Sequence, residues 1–297
     1  MAQMNLKKDP EFFETFKTWI LEHGGTFTDR LYTRSAQGEQ SRGITIQPQG
    51  KAVATVLFIH GTGNDITYPS ISLYKVLFKQ NIRIYAFDLD GHGYKGTSLF
   101  SQQMLPTFVA WAVAQTKIPT NEPLFLVGHS LGGTLALAHA VHASKTIQGL
   151  ILISAPLTLS ATLKSLAAES LSWLRPSLWQ ERKVYGTWGI LPALGSFKRL
   201  SFPIRLTHPE VNYVLQVNDA VNTLALDLTS KLDSISCPVL LIYGTADHIV
   251  KKQNAFDIQK RVKKSELISI KGATHFSTIF ESEVPNRIGS FIRAHIR

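Results

Sequence analysis

Short runs of consecutive apolar residues alternate along the chain with longer segments in which apolar residues recur at helical spacing. The runs predict strands at 53–59, 82–87, 124–127, 150–153, 239–243 and 266–270. Their nearly continuous apolar character is typical of strands that are covered on both faces. The segments between them predict helices at about 70–80, 104–117, 132–143, 252–262 and 284–296. This alternation predicts an open, mostly parallel α/β sheet flanked by helices.

The residues before this alternation predict an extra helix at 9–23. Asp9 is suited to cap it, Pro10 suits its first turn, and the two glycines at 24 and 25 end it. One face of the helix is apolar and carries Phe12, Phe16, Trp19 and Ile20. Docking of this face on the protein core is the favoured interpretation, and a helix lying on a membrane surface is the alternative.

Two further segments complete the domain organisation. Residues 28–35 and 43–47 predict a leading antiparallel hairpin. Residues 156–216 separate two predicted strands by far more than a usual crossover, are rich in tryptophan and have an excess of basic side chains. They predict an inserted, largely helical lid, so that 1–155 and 217–297 form the core.

Composition favours a soluble globular protein, because 44% of the 297 residues are hydrophobic and 18% are charged. The formal net charge is +10, but no nucleic-acid-binding motif accompanies it, and we expect no nucleic-acid partner. The positive charge is compatible with peripheral contact to an anionic membrane or substrate, and more simply with a solvated basic surface.

Cellular location is inferred from what the chain lacks. Residues 1–9 contain no secretory signal, and no apolar run reaches the roughly 18 residues that span a bilayer. The single cysteine, Cys237, forms no intrachain disulfide and adjoins a predicted strand, where we expect a buried thiol. These features predict a cytoplasmic protein.

The strongest chemical signal is Gly-His-Ser-Leu-Gly-Gly at 128–133, between a predicted strand and a predicted helix. A G-x-S-x-G sequence at such a junction places the serine on a sharp turn with its hydroxyl exposed. Glycine is needed at 128 and 132 because side chains there would collide with the turn. Ser130 is therefore the candidate nucleophile.

A second signal, His-Gly-Thr-Gly at 60–63, follows the strand at 53–59. Acyl transfer creates an oxyanion, which needs two preorganised N–H donors. One comes from the residue after the nucleophile, Leu131, and the position of Thr62 suits the other. We interpret His60 as structural, holding this loop by hydrogen bonds.

Two more signals, Gly-Thr-Ala-Asp-His at 244–248 and Gly-Ala-Thr-His-Phe at 272–276, follow the strands at 239–243 and 266–270. Carboxyl ends of strands are where open α/β sheets place their sites. The order Ser130, Asp247, His275 predicts a triad in which His275 removes the serine proton and Asp247 orients the imidazole. Other candidates are interpreted as structural or solvated: Asp88, Asp90, His129, His139, His142, Asp219, Asp227 and His248.

Together with Asp-Leu-Asp-Gly-His-Gly at 88–93, these motifs resemble the α/β-hydrolase group that includes monoacylglycerol lipases and lysophospholipases. The resemblance covers about residues 50–155 and 217–297. It implies a lidded serine esterase acting on a single acyl chain, without metal or organic cofactor. It carries over Ser130, Asp247 and His275 as the triad, and Thr62 and Leu131 as oxyanion donors.

The expected function is hydrolysis of a lipid-like carboxylic ester, such as a monoacylglycerol or lysophospholipid. The same triad serves small esters, thioesters, amides and carbon–carbon bonds, so these remain alternatives. A hydrolase-fold receptor that binds a ligand without turnover is a further alternative. Acyl chain length, head group and oligomeric state are left open.

Overall fold

A single sheet of eight strands organises the computed structural model, in the order β1-β2-β4-β3-β5-β6-β7-β8. The structure describes residues 9, 11–67, 71–93, 95–119, 121–162, 164–165, 168–169 and 210–296. The strands are β1 Thr26–Thr33, β2 Gln40–Gln47, β3 Ala54–Ile59, β4 Ile82–Phe87, β5 Leu124–His129, β6 Gly149–Ile153, β7 Val239–Gly244 and β8 Ser265–Ile270. The pairs β1–β2 and β2–β4 are antiparallel, and every pair from β4 to β8 is parallel.

Helices cover both faces of this sheet. They are α1 Glu11–Glu22, α2 Ile71–Lys79, α3 Phe108–Gln115, α4 Leu131–Ala143, α5 Glu210–Lys231, α6 Gln253–Arg261 and α7 Glu283–His295. One apolar layer joins the sheet to α3, α4, α5 and α6, and the other joins it to α1, α2 and α7. Strands β3 to β7 are buried at every position, which explains their continuous apolar sequence.

The predicted α/β-hydrolase architecture is confirmed, including the leading hairpin, and most element ends agree within a few residues. The segment 104–117 differs, because it begins with a short 3₁₀ turn, Leu105–Thr107, that contains Pro106, before α3 starts. Strand β8 is at the edge of the sheet and is only partly buried. Cys237 is a buried free thiol, as expected.

The extra N-terminal helix docks on the core, as favoured. Its fully buried side chains are Phe13, Phe16 and Ile20. The predicted face named Phe12 in place of Phe13, and Phe12 is only partly buried. Asp9 does not cap the helix, because its Oδ2 bonds to the side chains of Lys17, Arg42 and Lys95 while Oδ1 has no partner in the described part of the chain.

Most of the predicted lid, including residues 170–209, lies outside the described residues. Helix α5 begins at Glu210, so the predicted boundary at 216 falls within a helix that continues to Lys231. The C-terminal part of α5 belongs to the core layer beside α4. None of the helices within the described ranges is long and apolar enough to cross a membrane.

Candidate active site

Ser130 occupies a strained turn between β5 and α4. Its backbone has φ 51° and ψ −124°, a conformation that L-residues with side chains rarely adopt. Neighbouring glycines make the turn feasible: a Cβ on Gly128 would lie 2.5 Å from the Gly132 carbonyl oxygen, and one on Gly132 would lie 2.2 Å from that of Ile59. The side chain of Ser130 is therefore presented at the carboxyl edge of the sheet, where it is partly exposed.

The loop after β3 lies directly against this turn. A Cβ on Gly61 would approach Ser130 Cβ to 2.9 Å, so only glycine permits this contact. Thr62 follows Gly61, and Leu131 is the first residue of α4. The two predicted oxyanion donors thus belong to the two segments that adjoin Ser130, and the N-terminus of α4 adds a favourable dipole there.

Hydrogen bonds within this loop and to the segment after β4 hold the loop in place. His60 Nδ1 donates to Gly61 O at 2.9 Å, and its Nε2 accepts from Leu89 N at 2.9 Å. Gly63 N donates to His92 Nε2 at 3.3 Å, and Ile66 N donates to Asp88 Oδ1 at 2.9 Å. Burial lowers the pKa of His92 to about 4 and that of His60 well below its usual value, so both imidazoles are neutral.

His60 is therefore structural, in agreement with the interpretation of its sequence. Asp88 and His92 were missed as loop-positioning groups, although Asp-Leu-Asp-Gly-His-Gly at 88–93 marked their segment. Asp90 forms a buried ion pair with Arg34 at 2.8 Å. These contacts give the loop beside Ser130 a fixed backbone, which a preorganised oxyanion site requires.

His275 connects the serine to a carboxylate. Its Nε2 lies 2.8 Å from Ser130 Oγ, and its Nδ1 lies 2.9 Å from Asp247 Oδ2. The other oxygen of Asp247 accepts from Ile249 N at 2.9 Å and Val250 N at 2.6 Å. The structure thus brings the three predicted triad residues into one hydrogen-bonded chain from positions far apart in sequence.

The charges around His275 suit its predicted role as a base. Burial lowers the pKa of His275, but the charge and hydrogen bond of Asp247 outweigh it, and the net pKa is raised. Burial raises the pKa of Asp247, but the charge of His275 and the hydrogen bonds to its carboxylate lower it overall. The carboxylate therefore stays ionised while it orients the imidazole.

The remaining candidates lie elsewhere or serve the turn. His129 is buried, and its Nε2 donates to the carbonyl oxygen of His275 at 3.4 Å. Burial and the charge of His275 lower its pKa to about 3. Exposed positions are occupied by His142, Asp219, Asp227 and His248, and His139 is partly buried on α4. Within the described ranges, no cluster of three or more His, Cys, Asp or Glu side chains could hold a metal ion.

Comparison with known proteins identifies the family that this chain matches. The family described as Hydrolase_4, serine aminopeptidase, S33, matches residues 50–283. The monoglyceride lipase of Rattus norvegicus is 24% identical over 265 residues, which cover 83% of this chain and 82% of that protein.

Solved structures share the architecture. The monoacylglycerol lipase of Paleococcus ferrophilus has a TM-score of 0.62 at 19% identity, covering 90% of this chain and 99% of its own. The 2-hydroxy-6-oxo-6-phenylhexa-2,4-dienoate hydrolase of Rhodococcus sp. strain RHA1 has a TM-score of 0.65 at 18% identity, covering 91% and 99%. At such identities the likeness establishes the fold, which these differently named hydrolases have in common.

Proposed function

Because the chain belongs to the serine aminopeptidase S33 family of α/β hydrolases, we propose that it cleaves a carboxylic ester of a lipid-like substrate through an acyl-enzyme on Ser130. The observation that carries this proposal is the continuous hydrogen-bonded chain from Ser130 through His275 to Asp247. Nucleophile, base and orienting acid within hydrogen-bond reach are what covalent acyl transfer requires.

In the first half-reaction, His275 Nε2 accepts the proton of Ser130 as Oγ attacks the ester carbonyl carbon. The resulting oxyanion accepts hydrogen bonds from the backbone N–H groups of Thr62 and Leu131, and each such donor contributes about 10²–10³-fold in rate. When the tetrahedral intermediate collapses, His275 gives its proton to the leaving alkoxide, and an alcohol departs. Asp247 stabilises the transient imidazolium and keeps its ring oriented.

In the second half-reaction, water replaces the alcohol. His275 removes a proton from the water as its oxygen attacks the acyl-enzyme carbonyl, and the same two N–H groups stabilise the second oxyanion. Collapse returns the proton to Ser130 Oγ and releases the carboxylic acid. The cycle needs no metal or organic cofactor.

A lipid-like substrate, such as a monoacylglycerol or a lysophospholipid, is supported by the similarity to a monoglyceride lipase over 83% of this chain and 82% of that protein. The test is a chain-length series of p-nitrophenyl esters, from acetate to palmitate, on the wild type and Ser130→Ala. We expect turnover that rises with chain length and that falls at least about 10³-fold in Ser130→Ala.

Ser154→Ala is a matched control, because Ser154 also follows a strand with a positive φ of 46° and its buried Oγ has no partner in the described part of the chain. This variant should keep wild-type activity. Full esterase activity in Ser130→Ala would overturn the proposal.

The family description supports a second candidate, cleavage of an amide, and aminoacyl p-nitroanilides belong in the same assay. Ser130-dependent activity on those anilides, with none on long-chain esters, would favour an aminopeptidase. Activity confined to acetate and butyrate would indicate a small-ester hydrolase. Labelling of Ser130 by a fluorophosphonate without multiple turnover of any substrate would favour a ligand receptor.

A further inference from the structure

Glu169 lies in the segment that follows β6, and its side chain is fully buried although it is a carboxylate. Its Oε1 accepts a hydrogen bond from His248 N at 2.7 Å, and its Oε2 accepts one from Phe276 N at 3.3 Å. His248 directly follows Asp247, and Phe276 directly follows His275. One carboxylate therefore joins the loop of the acid to the loop of the base.

The contact to the base loop involves the peptide group between His275 and Phe276. The carbonyl oxygen of this peptide accepts from His129 Nε2 at 3.4 Å, and its N–H donates to Glu169. The peptide is thus held on both sides, from the nucleophile turn and from Glu169. Because the imidazole of His275 projects from this backbone, its direction toward Ser130 depends on both contacts.

In the loop that carries Asp247, three consecutive backbone N–H groups donate hydrogen bonds to carboxylates. Ile249 N and Val250 N donate to Asp247 Oδ1, and His248 N donates to Glu169. Consecutive N–H groups therefore face two carboxylates, and this arrangement leaves Asp247 Oδ2 directed at His275 Nδ1.

The burial of the Glu169 carboxylate depends on its two hydrogen bonds to backbone N–H groups. Removing a carboxylate from water is costly unless it is paired or fully hydrogen-bonded. In the described ranges, no lysine or arginine forms an ion pair with Glu169, and two backbone N–H groups are its partners. Its negative charge acts on His275 and raises the pKa of that imidazole.

In the part of the chain that the structure describes, the polar and titratable groups that face His275 come from several segments. They are His129 at the end of β5, Ser130 directly after it, Asp247 after β7, and Glu169. Burial lowers the pKa of His275, the charge and hydrogen bond of Asp247 raise it most, and the charge of Glu169 raises it further.

The chain between β6 and Glu169 is also held by hydrogen bonds. Leu157 N and Thr158 N donate to Asn254 Oδ1 at 2.8 Å and 2.7 Å. Further along, Asn222 exchanges two hydrogen bonds with the backbone of Leu159, at 2.9 Å and 2.8 Å. Asparagine side chains from α5 and α6 thus fix the chain as it leaves the sheet toward Glu169.

We propose that Glu169 is a positioning residue of the hydrolase site, which holds the Asp247 and His275 loops at one spacing. This proposal rests on the proposed function. Glu169 does not touch the reacting atoms. Its effect is expected in kcat and in the pH profile rather than in KM.

Three substitutions separate the effect of the Glu169 charge from the effect of its side-chain length. In Glu169→Gln one acceptor becomes an NH₂ group that faces a backbone N–H, and the charge is lost. We expect kcat to fall about 10–100-fold with KM within about twofold, and the acid limb of kcat/KM to move about half a unit to one unit lower in pH. Glu169→Asp keeps the charge but cannot span both N–H groups, so its kcat should fall while the limb stays near that of the wild type. Glu169→Ala should show both effects.

Glu122→Gln is the matched control. Glu122 is also a buried carboxylate, but it pairs with Arg83 at 2.9 Å at the opposite edge of the sheet. This variant should change thermal stability without moving the acid limb or kcat. Circular dichroism and melting curves establish that each variant is folded.

Two measurements distinguish a failure of the Glu169 proposal from a failure of the proposed function. The rate constant of Ser130 phosphonylation by a fluorophosphonate, and the pH titration of the His275 Nδ1 proton by NMR, need no natural substrate. If the wild type neither reacts nor hydrolyses esters, the proposed function is wrong. If the wild type reacts, and Glu169→Gln matches it in rate constant, pH limb and Nδ1 titration, the role of Glu169 is wrong. Should Glu169→Gln fail to fold, a wild-type kcat in Glu169→Asp would overturn the role equally well.

Discussion

His275 has to be neutral to accept the Ser130 proton, and this requirement links activity to pH. Activity should be lost as the pH falls through the pKa of His275 and retained above it. Since Asp247 raises that pKa, the acid limb of kcat/KM should lie above the ordinary value for histidine, which is about 6.5.

Substituting Asp247 by Asn tests the source of the raised pKa. Asp247→Asn keeps the shape of the side chain but loses its charge, so the pKa of His275 and the acid limb should move to lower pH. We expect kcat to fall about 10²–10⁴-fold, because the imidazolium is less stabilised and its tautomer is less well fixed. The measurement is a pH–rate profile with a soluble p-nitrophenyl ester.

Asp257→Asn provides the comparison, because Asp257 is an exposed residue of α6 and bonds only to Gln253 among the described contacts. It should leave the profile unchanged. An acid limb in Asp247→Asn that coincides with that of the wild type would contradict the assignment of Asp247 as the orienting acid.

Some site residues can be predicted from the sequence and others cannot. Ser130, Asp247 and His275 could be predicted because each follows a recognisable strand, and strand ends meet at one edge of a parallel sheet. Their catalytic roles remain predictions that the pH and Ser130 experiments test. Glu169 and His92 were not predicted as site residues, since each acts through a backbone N–H whose position follows from the folded loops. The motif at 88–93 marked the segment of His92 but not its contact, and no motif marked Glu169.

At the scale of elements, α1 is held by both apolar and ionic contacts. Phe16 stacks on Tyr74 of α2 with ring centroids 6.0 Å apart. Beside it, the fully buried Arg42 of β2 donates to Asp9 at 2.6 Å and to Asp29 at 2.7 Å. Burial raises the pKa of both carboxyls, but their ion pairs with Arg42 and lysines outweigh this and lower it overall. Both groups thus stabilise the fold above the ordinary carboxyl pKa, and this contribution is lost as the pH falls through the lowered values.

Arg42→Met removes the cation and leaves two carboxylates with weaker partners. We expect the free energy of unfolding to fall by about 3 kcal/mol at neutral pH, because breaking a buried ion pair leaves an uncompensated charge. The loss should shrink in acid, where Asp9 and Asp29 become protonated. Urea unfolding at neutral and acidic pH measures both effects.

Arg30→Met serves as the control, since Arg30 is an exposed arginine on the adjacent strand β1. It should change the free energy of unfolding by no more than about 0.5 kcal/mol. An equal loss in the two variants, or a loss in Arg42→Met that grows in acid, would show that the ion cluster does not anchor α1.

Elements were predicted most accurately where burial is complete. Strands β3 to β7 have both faces covered, so their apolar runs match the observed bounds closely. The N-terminal helix was placed correctly, but its buried face was assigned with Phe12 instead of Phe13. Because both phenylalanines lie near the edge of the apolar stripe, only the docking angle of α1 decides which is covered.

At the scale of the whole molecule, the outstanding property is the formal net charge of +10. Part of the positive charge is used internally, as in the pairs of Arg34 with Asp90 and of Arg83 with Glu122. Many of the other lysines and arginines lie at exposed positions, such as Lys51, Lys251 and Lys263. For an enzyme whose proposed substrates reside in lipid surfaces, this charge would concentrate the protein at anionic bilayers.

Vesicle sedimentation tests this consequence. The protein should bind vesicles of phosphatidylglycerol at about 20 mM salt and dissociate at about 0.5 M, because the Debye length shrinks from roughly 20 Å to a few ångströms. Neutral phosphatidylcholine vesicles should not retain it at either salt concentration. Binding that is insensitive to salt would indicate insertion of apolar side chains instead, and absence of binding to anionic vesicles at low salt would show that the basic surface serves only solvation.

If binding occurs, kcat/KM for long-chain esters presented in anionic vesicles should fall with added salt, whereas kcat/KM for soluble acetate esters should not. The reason is that only the vesicle substrate depends on the concentration of protein at the surface.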